Sequence, residues 1–275
     1  MGSSADGIVL CSCGAKHWGH AGAAGVLAWR DGAHPEIIMQ LRAGWSMSGG
    51  TWGIPGGAIG YGETPIRGGI REAREEAGLG PARVWASTTL HHPDWSYTTA
   101  VAEASAGQRA IATDHESDAM EWVPWSDLHD RLLMPAFKLS IPLLGSLLGR
   151  TLIILDPAIL PGGWEEALSK LAASGIPSQN LPDLFRAPID EGRAASADGS
   201  FERTVTLYPD YVLLGDGAPF EPLAAAGAIP PSICWAPTVD AAVMCGEYDR
   251  VLTVGVDIGD SHSIPLEEFH SLLRG

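Results

Sequence analysis

Apolar and polar positions change period along this chain, and the changes mark out its elements. Residues 23–29 (AAGVLAW) are apolar throughout and 36–43 (EIIMQLRA) nearly so, with a turn at Arg30-Asp31-Gly32 between them. Two such runs around a glycine-bearing turn predict a β-hairpin. Residues 83–105 and 121–128 are again rich in strand formers. Between these blocks the period lengthens. Ile66, Ile70, Ala73 and Ala77 recur at i, i+4, i+7 and i+11, the buried stripe of a helix. Thr64 suits its N-cap, Pro65 its first turn and Gly78 its C-terminal cap, so a helix is expected over Pro65–Ala77. A helix is expected to start over Asp127–Leu133, and Pro135 and Pro142 are expected to break the segment that runs to Leu148.

Beyond Gly149-Arg150 the pattern starts afresh. Strands are expected at Thr151–Leu155, Thr204–Tyr208, Tyr211–Leu214 and Val251–Val256. Helices are expected at Trp164–Ala173, Asp240–Cys245 and Pro265–Leu273, with a Pro-rich connection and a polar loop over Glu191–Gly199. The alternation suggests a small α/β domain. Asp156 and Asp257 close apolar strands, where α/β sheets place ligands, although an isolated strand-end Asp more often faces solvent. The chain therefore reads as an N-terminal arm (1–20), a first domain (21–149) and an accessory domain of unassigned role (150–275).

The polar face of the Pro65–Ala77 helix carries Glu72, Glu75 and Glu76 at i, i+3 and i+4. One reading is a solvated acidic face. It leaves unexplained why Trp52-Gly53-Ile54-Pro55-Gly56-Gly57 leads straight into the loop, and why Gly57, Gly60 and Gly62 punctuate it. The other is a site for a hard cation, since carboxylates without sulfur or nitrogen partners suit Mg2+ or Mn2+. Gly57, Glu63, Arg71, Glu72, Glu75, Glu76 and Gly78 together match the signature of the Nudix hydrolases, which residues 20–148 resemble. Ala73 departs from the bulkier aliphatic preferred there. Gly68 and Gly69 sit mid-helix at a cost of roughly 1 kcal/mol each relative to alanine.

The resemblance implies a Nudix-type α/β/α sandwich with a mixed sheet, and a metal-dependent hydrolase that cuts a diphosphate joined to another moiety, usually a nucleoside. It gives Glu75 and Glu76 the metal, with Glu72 as a further ligand or the base. Glu63 and Arg71 orient these carboxylates, and a carbonyl of Gly56 or Gly57 adds an oxygen ligand. Glu116 matches the loop acid that completes the metal site or acts as base, with Asp114 and Asp118 as substitutes. Arg42 is expected near the substrate. Trp45 offers a face to a base, whereas Trp52 reads as core. The His91-His92-Pro93-Asp94-Trp95-Ser96-Tyr97 turn is dense in polar and aromatic groups, so His91, His92, Trp95 and Tyr97 are candidates for base or sugar recognition.

The leading substrate is a (d)NTP-type nucleotide, oxidised dNTPs included, with ADP-ribose or a nucleotide sugar behind it. A nucleotide-sensing module with the second domain as effector is the alternative of another class. The complete set of Glu63, Arg71, Glu72, Glu75 and Glu76 argues against it.

Charge narrows the partners. The 275 residues carry 17 Lys+Arg and 33 Asp+Glu, a net charge of -16. Residues 1–150 hold 11 and 15 of these and residues 151–275 hold 6 and 18, so -12 falls in the second part. Nucleic acid lacks the basic footprint it needs, which disfavours an RNA-decapping role. A small phosphorylated substrate remains compatible, because a bound cation inverts local charge. The apolar run from Ile141 to Leu155 is interrupted by Pro142 and Arg150 and does not read as a membrane span. No secretory segment is visible, and the four cysteines do not suggest a disulfide framework, so cytoplasmic residence is expected. Self-association into a homodimer is compatible with the chain. Cys11, Cys13, His17 and His20 either bind Zn2+ or are ordinary thiols and packing imidazoles, since the spacing fits zinc patterns only loosely.

Overall fold

A computed structural model describes residues 5–30, 34–156, 158, 176–177, 202–215, 232–243, 246–256 and 263–264. Two compact units divide after Leu148. In the first, a short hairpin of β1 (Ile8–Leu10) and β2 (Lys16–Trp18) precedes the main sheet. The apolar blocks become β3 (Ala23–Arg30) and β4 (Glu36–Arg42), which pair antiparallel as the pattern predicts. The Trp-Gly-Ile-Pro-Gly-Gly stretch supplies β5 (Trp52–Gly53) and β6 (Gly56–Ala58). After α1 (Pro65–Ala77) come β7 (Ala82–His92), β8 (Trp95–Ala104) and β9 (Ser117–Pro124).

The sheet runs β7–β8–β3–β4–β5, with β6 also on β3 and β9 also on β4. It is mixed, because β3 and β8 are parallel while their other pairings are antiparallel. Side chains alternate faces along a strand. On one face Val26, Ala28, Ile38, Ala100 and Ala102 pack with Ala73, Ala77 and Leu79, flanked by the partly buried Ile66 and Ile70. This is the predicted stripe of α1 in place. The opposite parity, Leu27, Ile37, Met39, Val101 and Val123, is wholly buried as well. Both faces are therefore covered, as an α/β/α arrangement requires.

The ends of α1 fall where its sequence places them. Pro65 occupies the first turn, and Gly78 takes a left-handed conformation (φ 62°) that closes the helix on the Ala73 and Arg74 carbonyls. Thr64 sits at the N-cap position, but its hydroxyl makes no capping bond. Gly68 and Gly69 are buried, and a methyl on Gly69 would stand 3.2 Å from the Gly25 carbonyl oxygen. Gly69 thus lets α1 lie close on β3.

Two expectations are corrected. Pro135 and Pro142 do not break the last segment; α2 spans Pro135–Leu147. Pro135 opens the helix, where its missing N–H costs nothing, and Pro142 lies on the exposed face with the equally exposed Lys138 one turn before it. Solvent can satisfy the carbonyl that Pro142 leaves. The expected helix from Asp127 is instead a 3-10 turn over Trp125–Asp130.

The second unit begins with β10 (Thr151–Leu155), buried at every position. Its described strands also include β11 (Ile176–Pro177), β13 (Asp210–Leu214), β14 (Ile233–Ala236), β15 (Arg250–Val254) and β16 (Ser263–Ile264). The sheet order β14–β13–β10–β15–β16 is parallel at every step, which fits the continuous apolar runs. A short helix α3 covers Val239–Val243. Strand β12 (Glu202–Leu207) starts in the first unit, since residues through Val205 group there and Thr204 Oγ1 lies 3.3 Å from His91 Nε2. The expected helices at Trp164–Ala173 and Pro265–Leu273, the Glu191–Gly199 loop and Asp257 lie outside the described residues. Asp156 accepts a local bond from Ala158 N (2.9 Å), the ordinary behaviour of a strand-end Asp.

Candidate active site

The site assembles around Arg71. Its Nη2 lies 3.0 Å from Glu63 Oε2, and its Nη1 lies 2.7 Å from Glu72 Oε1 and 3.3 Å from Glu75 Oε2. Nη2 also donates to the Ala58 carbonyl at 2.9 Å. Glu63 comes from the loop before α1 and accepts in addition from Gly60 N at 3.0 Å. The loop glycines bring that backbone within reach. The guanidinium pulls Glu63 below the ordinary carboxylate range, and Glu63 in turn raises Arg71. Three of the four signature glutamates therefore share one cation.

Glu76 is arranged differently. It is 4% exposed and accepts from Gly56 N at 2.7 Å. Burial pushes its carboxyl up to about 8, against the bonds from Gly56 and the Gln40 amide; the charges of Asp114 and Glu72 push the same way. Burial also raises Glu72, opposed by Arg71. Glu75 points outward, its side chain 61% exposed. A methyl on Gly57 would stand 2.5 Å from Glu72 Oε2, so only glycine leaves room for that carboxylate beside the backbone.

This donor set fits Mg2+ or Mn2+. Its oxygens are hard, they outnumber Arg71, and the deepest carboxylate has only neutral donors as its hydrogen-bond partners. Glu75, Glu76 and a carbonyl of Gly56 or Gly57 are the groups that would hold the ion, with Glu72 as a further ligand or the base.

The loop acids are ordered by their anchoring. Thr113 donates from its N–H to the Glu76 carbonyl at 3.0 Å and from its hydroxyl to the Glu75 carbonyl. That ties the loop to the end of α1 and puts half-buried Asp114 in the field of Glu76. Glu116 is exposed; its N–H bonds Asp114 Oδ1 (3.1 Å) and its carbonyl accepts from Ala43 N (2.8 Å). The Ala43 contact brings the Glu116 loop beside the loop of Trp45, which is 72% exposed. Arg42 Nε donates to the Met47 carbonyl at 3.0 Å and braces that loop. Trp52 is buried, with the Arg131 guanidinium 4.5 Å above its ring.

The aromatic turn is corrected. His91, His92, Trp95 and Tyr97 lie on paired strands, and only Pro93-Asp94 forms the turn. Trp95 stacks on His17 at 4.2 Å, and His92 lies 4.4 Å from the same ring. The structure therefore gives His92 and Trp95 to the N-terminal hairpin. His91 meets Thr204, and Tyr97 is raised by burial, then by the Glu76 charge. The N-terminal Cys/His set is corrected too: the residues that converge are Cys11, Cys13, His17 and His92, without His20. The imidazole of His20 instead covers Gly7. Gln40, a site residue the sequence reading missed, was detectable as the one polar side chain in an otherwise apolar strand core.

The family model for the NUDIX domain matches residues 19–142. A Bifidobacterium longum "Nucleoside triphosphate pyrophosphatase/Nudix hydrolase fusion protein" is 45% identical over 145 residues, covering 50% of this chain and 30% of that protein. A Mycobacterium tuberculosis protein named "Putative 8-oxo-dGTP diphosphatase 3" is 39% identical over 145 residues, 49% of this chain and 66% of that protein. The crystal structure of a Nudix hydrolase from M. smegmatis, RenU, shares 34% identity with a TM-score of 0.45, covering 50% of this chain and 90% of its own. Through residues 19–142, the chain carries a NUDIX domain. It spans less than two thirds of the length of either curated relative.

Proposed function

We propose that this chain hydrolyses the diphosphate of a nucleoside-linked substrate with a divalent cation, and that (d)NTP-type nucleotides, 8-oxo-dGTP among them, are its leading substrates. One observation carries the reading. Arg71 is shared among Glu63, Glu72 and Glu75, while Glu76 is buried against neutral donors and held near 8. A binding module has no use for such a concentration of carboxylate. The relatives' names supply the substrate class.

Mg2+ or Mn2+, when bound by Glu75, Glu76 and the Gly57 carbonyl, neutralises diphosphate oxygens and polarises water. Arg71 fixes Glu72 through Oε1 and leaves Oε2 toward Gly57. Glu72, raised by burial, takes the proton of the attacking water on Oε2. The new P–O bond forms as the bridging P–O bond breaks, and the phosphate leaving group departs with the bridging oxygen. Glu63 holds Arg71 square to this arrangement. Trp45 offers its exposed face to the base.

The test is product release from dNTPs, 8-oxo-dGTP, ADP-ribose and nucleotide sugars with Mg2+ or Mn2+, using Glu76→Gln as the blank. Turnover on a (d)NTP that the variant lacks supports the reading. A strong preference for ADP-ribose or a nucleotide sugar would replace the substrate class. No turnover on any substrate, with nucleotide still bound, would replace catalysis by sensing.

A further inference from the structure

The β1–β2 hairpin has little to hold it. Its strands pair over three residues each, and Ile8 and Leu10 are 44% and 74% exposed. A two-stranded hairpin of this size is marginal by itself in water. Yet several contacts fasten it to the β7–β8 turn. Asp94 Oδ2 accepts from Ser12 N and Ser12 Oγ at 2.6 and 2.5 Å. Trp95 Nε1 donates to the Trp18 carbonyl at 3.0 Å, and Trp95 stacks on His17. All of them surround one point.

At that point four ligand-type atoms converge. One atom from each of Cys11, Cys13, His17 and His92 lies within 4.8 Å of every other. Cys13 Sγ stands 3.4 Å from His17 Nε2. Cys11 is buried, the other three are half-buried, and neither thiol is in a disulfide. The turn that presents the cysteines is set by Cys11 N bonding the Ala15 carbonyl (3.0 Å), Gly14 N bonding the Cys11 carbonyl (2.9 Å), and Gly14 at φ 84°.

We propose that Cys11, Cys13, His17 and His92 form a structural Zn2+ site that clips the N-terminal hairpin to the β7–β8 turn. Two sulfur and two nitrogen donors make a closed tetrahedral zinc set. Bond lengths of about 2.3 Å to sulfur and about 2.0–2.1 Å to nitrogen require donor separations of roughly 3.3–3.8 Å. The observed cluster needs only a small contraction to reach them. Binding deprotonates both thiols and releases two protons to solvent, with no change of oxidation state. With four protein ligands no open position remains, so the ion has a structural role and is separate from the cation proposed at Glu75 and Glu76. The metal stands where the hairpin lacks a core, and it joins residues 75 or more positions apart.

The experiment is metal analysis of the full chain after purification without chelator, then Co2+ exchange. About one zinc per chain is expected, and the cobalt form should show thiolate-to-cobalt charge transfer with intense tetrahedral d–d bands. Cys11→Ser/Cys13→Ser should lose the metal. His92→Ala should release zinc to a colorimetric chelator at least about tenfold faster than the parent, while His20→Ala behaves as the parent. If the double variant fails to fold, the cobalt spectrum of the parent and the His92/His20 pair still decide. A parent chain that takes up neither zinc nor cobalt through sulfur overturns the site. So does a His20→Ala variant that loses zinc while His92→Ala keeps it. All of these readouts are independent of hydrolysis.

Discussion

Replacing Glu76 by glutamine isolates the charge that the fold buries. Burial lifts this carboxyl from 4.5 to about 8. The folded chain without Mg2+ therefore binds its proton more tightly than the unfolded chain does. The stability contributed by that proton is complete below about pH 4.5 and is lost as the pH rises through about 8. Inside the window the slope is about 1.4 kcal/mol per pH unit, so the whole effect is on the order of a few kcal/mol. For a chain of this length that is roughly 3–5 °C of Tm per pH unit. Glutamine keeps an acceptor for Gly56 N and has nothing to ionise. In Mg2+-free buffer the two proteins should melt alike near pH 5, and the variant should gain steadily until about pH 8. Saturating Mg2+ should close the gap, because the cation binds only the ionised parent. Thermal melts at half-unit pH steps measure this. Parallel curves for parent and variant between pH 5 and 8 without Mg2+ would refute the account of Glu76 as a buried charge awaiting a cation.

The site yields further expectations. Gly57→Ala places a methyl 2.5 Å from Glu72 Oε2; kcat should fall about a hundredfold or more, while Tm moves by only a few degrees. Arg71→Lys cannot reach Glu63, Glu72 and the Ala58 carbonyl together, and its kcat should stay close to that of Arg71→Ala, both read at saturating Mg2+. Trp45→Ala should raise KM for nucleotides about fivefold or more with little change in Tm, since stacking is worth about 1–3 kcal/mol. An unchanged KM would remove Trp45 from base recognition.

Much of the first unit was legible because its signals are local. The stripe Ile66, Ile70, Ala73 and Ala77 and the Thr64-Pro65 and Gly78 boundaries fix α1 without reference to anything distant. The apolar runs likewise place β3 and β4. What escaped depends on contacts between remote segments. By spacing, His20 groups with Cys11, Cys13 and His17; the β7–β8 hairpin brings His92 into that cluster instead. Asp114 and Glu116 differ by two positions, and the tie from Thr113 to α1 is what puts Asp114 near Glu76. Pro142 misled because a helix-breaking residue is tolerated where water can reach the abandoned carbonyl. In the second unit, the alternation of elements pointed to an α/β domain, but strand pairing and order have no local signature.

The packing beneath α1 has a consequence for how such a chain can diverge. A methyl on Gly56 would collide with the Ala24 carbonyl, one on Gly57 with Glu72, and one on Gly69 would crowd the Gly25 carbonyl. At Gly56 and Gly69 main chain stands against main chain, which offers no alternative rotamers with which to absorb a substitution. Heritable variation there meets a wall, whereas Gly44, in the Trp45 loop, has open space around it. New substrates are therefore expected to be acquired by rewriting that rim while the floor stays as it is.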